Sequence, residues 1–437
     1  MGRFVTFNRV FFLLFLLLHI AVVIVLGDIR AFAPDELSYV NCFQELYKST
    51  FDISQFGGWW NAQTVFLRAF YLPAQFFSFL PISDLVLLRL YSIALTAMAL
   101  FLLVKQTKLT NSHLGKVVLI VFTFTPSIFL WTTLAIKESF ILITLVVFFL
   151  GLERIHKVMG ISGYLICFLS GYSLLNLKGY LYAVLCLAIS MVVIAKSIKL
   201  KKLDKSSVLL ILVIAMPYII SPSTTALIRE SSIDFVSKLS EFRFVDEIIQ
   251  TDSSVTDSSV NSLDLGMTSN LLNKKANQNG LFGSILSFLQ VDDFLNHKAA
   301  TYSESSSQEI YSRRTLNPVD PIDIRGFASG VSAFLLFPNI FRSNGSPILD
   351  LLGLEIFFWI FLYLVTIYIG FRSRSHLMRF IPISIMTFGS IFLVVSEMTE
   401  INLGTAVRHR LVLAILIVIF VGSQNFTNRG NSTQRQS

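Results

Sequence analysis

The sequence predicts an all-α polytopic membrane protein with about ten transmembrane helices and interfacial helices in its long outer loops, and three observations predict it. Apolar residues fill 54% of the 437 positions and charged residues only 14%, a balance that a water-facing globule of this size does not need. The apolar residues gather in runs that approach the roughly 20 residues needed to cross a hydrocarbon core. The basic residues form short clusters between those runs rather than one continuous face. The net charge of +8 therefore reads as a set of topology determinants and not as a nucleic-acid footprint.

The elements follow in chain order. Residues 1–9 are basic and 10–26 apolar, as in a secretory signal, and Ala31-Phe32-Ala33 imitates a cleavage box. Pro34 directly after that box blocks cleavage there, so the stretch is expected to stay as a first transmembrane helix at 9–27. Further apolar spans lie at 85–104, 117–136, 139–152, 160–177, 179–196, 206–221, 350–371, 379–396 and 411–423. Two more stretches, 66–80 and 327–341, are apolar but short and are broken by Pro73 and Pro338. A full crossing by either would invert the charge pattern between them, so both are expected to be interfacial or re-entrant helices. Trp59 and Trp60, beside Gly57 and Gly58, fit the headgroup level where amphipathic rings settle.

With the N-terminus inside, the cytoplasmic segments are 1–9, 105–116, 153–159, 196–205, 372–379 and 424–437. They hold seventeen Lys and Arg against two acids, Glu153 and Asp204, the bias that the positive-inside rule requires. Both termini are then cytoplasmic. The expected organisation is an N-terminal membrane module at 1–221 with seven helices and a long first outer loop at 28–84. A long outer loop at 222–349 follows, then a C-terminal membrane module and cytoplasmic tail at 350–437. Residues 251–260 read TDSSVTDSSV, a polar repeat without aromatics, so disorder is expected near 250–263. Residues 281–341 carry apolar periodicity, with turn signals at Asn317-Pro318 and Asp320-Pro321, and are expected to pack as a cap. Of the three cysteines, Cys167 and Cys186 fall inside apolar segments and Cys42 stands alone, which excludes a disulfide framework and a cysteine zinc site.

Chemistry should then be sought in the outer segments. Pro34-Asp35-Glu36-Leu37-Ser38-Tyr39 follows the first helix. Adjacent carboxylates at a membrane surface suit a general base, a metal ligand or both; they also suit a helix start, with Pro at its first position and acids at the positive end of the dipole. Lys137-Glu138 sits in a short outer turn after Trp131-Thr132-Thr133, where ionisable residues face a cavity or one another, unless the pair merely caps the next helix. Lys178 is a third outward charge, facing the site or snorkelling. Asn402 precedes Arg408-His409-Arg410, whose cations run against the positive-inside bias. A phosphate would compensate them, since Arg grips phosphate oxygens with two parallel bonds; ion pairs to Glu397 and Glu400 are the alternative. His409 has no second histidine at metal-binding spacing. Arg89, one turn into the second helix, faces the same cavity or the headgroups. Carboxylates beside cations on one side of a bilayer suit group transfer from a lipid-linked phosphate donor.

On these residues the chain resembles the GT-C superfamily of polytopic glycosyltransferases that use polyprenyl-phosphate sugars. The resemblance rests on the first helix, the outer loop opening with Asp35-Glu36, the Lys137-Glu138 turn after Pro126-Ser127, and the long outer loop after the seventh helix, and it covers most of residues 1–221. It implies an inverting glycosyltransferase in the bacterial inner membrane, with Asp35 as base and Glu36 as alternative or partner. The substrates implied are a polyprenyl-phosphate-linked sugar donor and a lipid-linked or surface glycan acceptor, among membrane lipids and without nucleic acid. Members differ over a divalent metal; Asp35 and Glu36 are where one would bind. The segment from Asn402 to Ala406 with Arg408-His409-Arg410 is also similar to the last outer loop of membrane proteins in exopolysaccharide or O-antigen synthesis, which implies lipid-phosphate contacts for Arg408 and Arg410; the shared outer side of the charges adds Lys137, Glu138, Lys178 and His409 to the expected lipid-phosphate and donor-binding set, supported by Tyr39, Arg89 and Asn402. A repeat-unit polymerase and a lipid-linked oligosaccharide flippase are the competing expectations; the flippase is disfavoured because no internal repeat relates the two halves.

Overall fold

In the computed structural model, the described residues are 2–27, 34–48, 60–77, 81–158, 160–201, 205–220, 331, 334–336, 353–372, 379–399 and 403–423. They belong to one compact unit, Met1–Thr225 with Leu316–Ser437; the second unit, Ala226–Thr315, lies outside the described residues. So do the polar repeat expected to be disordered and most of the expected cap.

Helices in chain order are α1 (Gly2–Leu26), α2 (Pro34–Lys48), α3 (Trp60–Phe77), α4 (Asp84–Thr107), α5 (His113–Phe124), α6 (Pro126–Thr133), α7 (Glu138–Val158), α8 (Ile161–Leu177), α9 (Gly179–Leu200), α10 (Lys205–Ile220), α11 (Ile356–Arg372), α12 (Phe380–Thr399) and α13 (Leu403–Ser423). A 3₁₀ turn, Leu109–Asn111, joins α4 to α5. No strand occurs among the described residues, as expected where every backbone polar group must be satisfied inside its own segment.

Helix covers most of each of the ten predicted segments, but only four helices among the described residues are long and apolar enough to cross a membrane: Phe7–Leu26, Asp84–Thr107, Glu138–His156 and Gly179–Lys199. The predicted span at 117–136 is not one straight rod. α5 and α6 meet at an angle of 61°, and together they make at most a fifth crossing. The cause is Pro126, which has no N–H to donate and pushes the residue before it out of the helical region; Thr125 is extended, at φ −61° and ψ 123°. Ile161–Leu177, Lys205–Ile220, Ile356–Arg372 and Phe380–Ser396 are apolar but shorter.

α13 forms the axis of the unit. It packs against α4, α5, α6, α7, α11 and α12, and every residue from 409 to 423 is buried. A helix that is apolar on all sides is either enclosed by protein or faces lipid, and α13 is enclosed. The C-terminal helix is thus surrounded by helices from both ends of the chain. α7 and α8 approach closely through glycine: a Cβ on Gly163 would lie 2.8 Å from the Ile155 backbone nitrogen and 3.1 Å from the Gly151 carbonyl oxygen. Small residues permit such contact where lipid offers no hydrophobic drive between helices.

The two short apolar stretches enter the interior on at least one face. In α3, Phe66, Leu67, Phe70 and Ala74 are buried while Phe76 is exposed. Within the stretch at 327–341, Val331 and residues 334–336 are helical, and Phe334 is buried in the core.

Candidate functional site

The α6–α7 corner gathers the ionisable residues. Leu134, Ala135 and Ile136 are fully buried there, and the Ala135 N–H donates to Glu36 Oε1 at 2.9 Å. Glu36 also receives Arg89 through two parallel bonds, Nε to Oε1 at 2.9 Å and Nη2 to Oε2 at 2.8 Å. Arg89 Nη1 donates to the Gly27 carbonyl at 2.9 Å. Both side chains are 0% exposed. One buried pair therefore ties the end of α1, the start of α2, α4 and the α6–α7 corner, its charges neutralised in the fork geometry that suits burial.

This arrangement decides what Glu36 can do. Both of its oxygens already accept hydrogen bonds from a guanidinium or an amide, so it anchors the site rather than offering a free base or a metal ligand. Arg89 faces neither headgroups nor a cavity. α2 begins at Pro34, so Asp35 and Glu36 do occupy a helix's first turn; the side chain of Asp35 lies outside the described residues. Tyr39 is buried and meets the Phe66 ring edge-on at 5.5 Å, a packing contact.

Three residues beyond Ala135, Glu138 opens α7 and faces Arg408 of α13, with Arg408 Nε 3.5 Å from Glu138 Oε1. The Arg408 guanidinium lies 4.7 Å from the centre of the Trp131 ring, a cation–π contact that holds it over α6. Glu138, Lys178 and Arg408 line one crevice whose remaining walls, from Ile141 to Ile415, are aliphatic. Its volume of about 10 Å³ holds about one water. Glu138 lies in the combined field of Arg408, Lys178 and Lys137, and its Oε2 is buried without a hydrogen-bond partner among the described residues. At the edge of the crevice, Lys178 Nζ sits 5.4 Å from the Tyr180 ring centre, and the Tyr180 hydroxyl lies 3.1 Å from His409 Nε2.

Arg410 takes another direction. Its side chain is 1% exposed, Nη1 donates to the Leu335 carbonyl at 3.3 Å, and the guanidinium lies 5.3 Å from the Trp359 ring centre. Its Nε and Nη2 have no hydrogen-bond partner among the described residues. Nearby is Glu355, 1% exposed, which sequence reading passed over. Glu355 Oε2 accepts from Ser127 N–H at 2.7 Å and Oε1 from Trp359 Nε1 at 3.3 Å, so it caps the positive end of α6. Its signal was available: an acid inside the apolar span 350–371 is costly without a specific partner. A second overlooked group, His19, is buried between the Phe15 and Phe129 rings, with Nδ1 2.8 Å from the Phe15 carbonyl oxygen and Nε2 3.4 Å from Thr132 Oγ1.

The structure thus brings Glu138, Lys178 and Arg408 into one crevice, with Lys137 and His409 adjoining, and joins Glu36 and Arg89 to it through residues 135–138. Asn402 and the side chains of Glu397 and Glu400 lie outside the described residues. No group of three or more His, Cys, Asp or Glu that could hold a metal occurs among the described residues. Comparison with known proteins finds no family model and no curated protein that matches the chain.

Proposed function

We propose that the chain is an integral membrane glycosyltransferase of the inner membrane of bacteria. It moves a sugar from a polyprenyl-phosphate donor to an acceptor on the extracytoplasmic side, in the synthesis of surface polysaccharide or glycoconjugate. Both termini are cytoplasmic in this reading, and the ten predicted segments act as spans. The observation that carries it is the crevice: an acid and two cations from α7, the α8–α9 turn and α13, far apart in sequence, converge on one otherwise aliphatic cleft. Such residues are expensive at a membrane boundary and collect where an ionic group must be handled.

The chemistry follows from their types. Arg408 and Lys178 receive the donor phosphate, and Glu138 holds Arg408 in place until the phosphate takes over as its partner. Asp35, beside Glu36 in the first turn of α2, accepts the proton of the acceptor hydroxyl. The acceptor oxygen bonds the anomeric carbon as the bond from that carbon to the phosphate oxygen breaks. The electron pair stays on the phosphate, whose new charge faces Arg408 and Lys178. A single displacement inverts the anomeric centre. A crevice with room for one water must widen between α7 and α13 to admit the donor.

The test is transfer by the full-length protein in nanodiscs, with a polyprenyl-phosphate hexose and a lipid-linked acceptor and no ion gradient. Asp35→Asn should abolish product at unchanged protein level, and Lys178→Ala or Arg408→Ala should slow transfer by roughly a hundredfold. Full product from Asp35→Asn removes the base; movement of donor without transfer replaces the reading with a flippase. A repeat-unit polymerase is the second reading: Arg410, buried against Trp359 with Nε and Nη2 lacking a hydrogen-bond partner among the described residues, would serve it as an anion site separate from Arg408, on another side of α13. Loss of long chains with retention of single repeats in an Arg410→Ala strain would select it.

A further inference from the structure

At the opposite, cation-rich end of α1 and α4 lies a larger cavity, of about 730 Å³, formed by α1, α4 and the 3₁₀ turn. Arg9, Lys105 and Lys108 supply three positive charges to its lining, and no acid lines it. The opposing wall is Phe12, Phe101 and Val104, with the two rings edge-on at 6.2 Å. Among the described residues neither Arg9 nor Lys105 makes an ion pair. Lys105 Nζ instead lies 5.6 Å from the Phe101 ring centre. Lys108 caps α4 in the left-handed conformation, at φ 52°, which glycine would adopt at less cost; the lysine there adds a cation to the rim.

The cavity also opens toward lipid. α1 is the least enclosed of the four long spans, with 22% of its apolar window buried against 44% to 72% for the others, and Phe101 of the wall is half exposed. A ligand seated here meets cations at one end and hydrocarbon-facing rings at the other. Soluble anions lack the apolar part, and an acidic peptide has no reason to lie along a face of this hydropathy.

We infer that this cavity is a binding site for an anionic glycerophospholipid, the phosphodiester held by Arg9, Lys105 and Lys108 and an acyl chain laid along Phe12, Phe101 and Val104. Basic pockets between spans recognise such headgroups by charge. Asn8 Oδ1, buried at the cavity without a hydrogen-bond partner among the described residues, accepts a headgroup hydroxyl, which favours phosphatidylglycerol. The site is independent of the transfer crevice.

The experiment is native mass spectrometry of the full-length protein in nonionic detergent. It is titrated with palmitoyl-oleoyl phosphatidylglycerol, with phosphatidylcholine of the same chains, and with inorganic phosphate. Phosphatidylglycerol should bind about tenfold or more tightly than phosphatidylcholine, as expected for three surface cations, and inorganic phosphate should not displace it. The triple variant Arg9→Gln, Lys105→Gln, Lys108→Gln should lose that preference while its melting temperature without lipid stays unchanged. Lys105→Glu alone should weaken it in the same direction, and Lys196→Gln with Lys199→Gln, at the end of α9, should not. Equal affinity for the two lipids, a preference that survives the triple variant, or displacement by inorganic phosphate would each overturn the assignment.

Discussion

Arg89 and Glu36 show how a single pair limits what its members can do. Two charges taken fully out of water are tolerable only in good mutual geometry, and here every arm of the pair is occupied. Removing one partner strands the other charge in the interior, at a cost of about 3–5 kcal/mol. Glu36→Ala and Arg89→Ala should therefore each lower the melting temperature of the purified protein sharply. Arg89→Lys should rescue little, because an ammonium cannot span both carboxylate oxygens. The double variant Glu36→Leu with Arg89→Met should melt close to wild type. Equal damage from single and double variants would show that the hydrogen bonds to Gly27 and Ala135, and not the charges, carry the effect. Both residues stand out in the sequence, Glu36 beside a membrane surface and Arg89 inside an apolar run, yet their partnership does not: 53 positions separate them.

At the scale of elements, the corner between α5, α6 and α7 does most to assemble the site. Pro126 turns the chain, Glu355 satisfies the amide of Ser127, and the next corner presents Ala135 to Glu36 and Glu138 to Arg408. Glu355→Ala leaves a buried amide and a buried indole N–H without acceptors and removes the acid nearest Arg410. The expected loss is roughly 1–3 kcal/mol in stability, read as a lowered melting temperature, with Glu355→Gln closer to wild type because it still accepts from Ser127. An unchanged melt for Glu355→Ala would show that α6 needs no cap. The bend itself was foreshadowed by Pro126, but hydropathy alone treats 117–136 as one run, because apolar residues continue across the break. The acid that stabilises the bend comes from 228 positions away, beyond the reach of any local pattern.

For the whole molecule, the enclosure of α13 makes the two ends of the chain one body. The cations at its start are drawn inward with it, so Arg410 is buried and Arg408 partly so. The orientation read from the basic clusters leads to a concrete expectation. In a variant with Cys42, Cys167 and Cys186 replaced by Ser, Ser112→Cys should react with an impermeant maleimide only from the cytoplasmic face. Asn176→Cys, beside the α8–α9 turn, should react only from the outside. Exchange of the two faces would reverse the sidedness of the crevice and of the lipid cavity together, and labelling of both from one face would show that the two do not lie on opposite sides.

Hydropathy was enough to indicate a helical chain with several helices apolar and long enough to cross a membrane, where most of its helices run, and which residues are costly enough to need a reason. These properties reside in short stretches of chain, where the transfer free energy of each side chain adds locally. Which costly residues meet was decided only by tertiary packing. Glu36 spends its charge on Arg89, Glu138 on Arg408, and Arg410 turns toward Trp359 instead of joining its neighbour. Residues two apart on a helix point to different sides, so Arg408 and Arg410 parted for a reason of geometry that becomes specific only once α13 is surrounded.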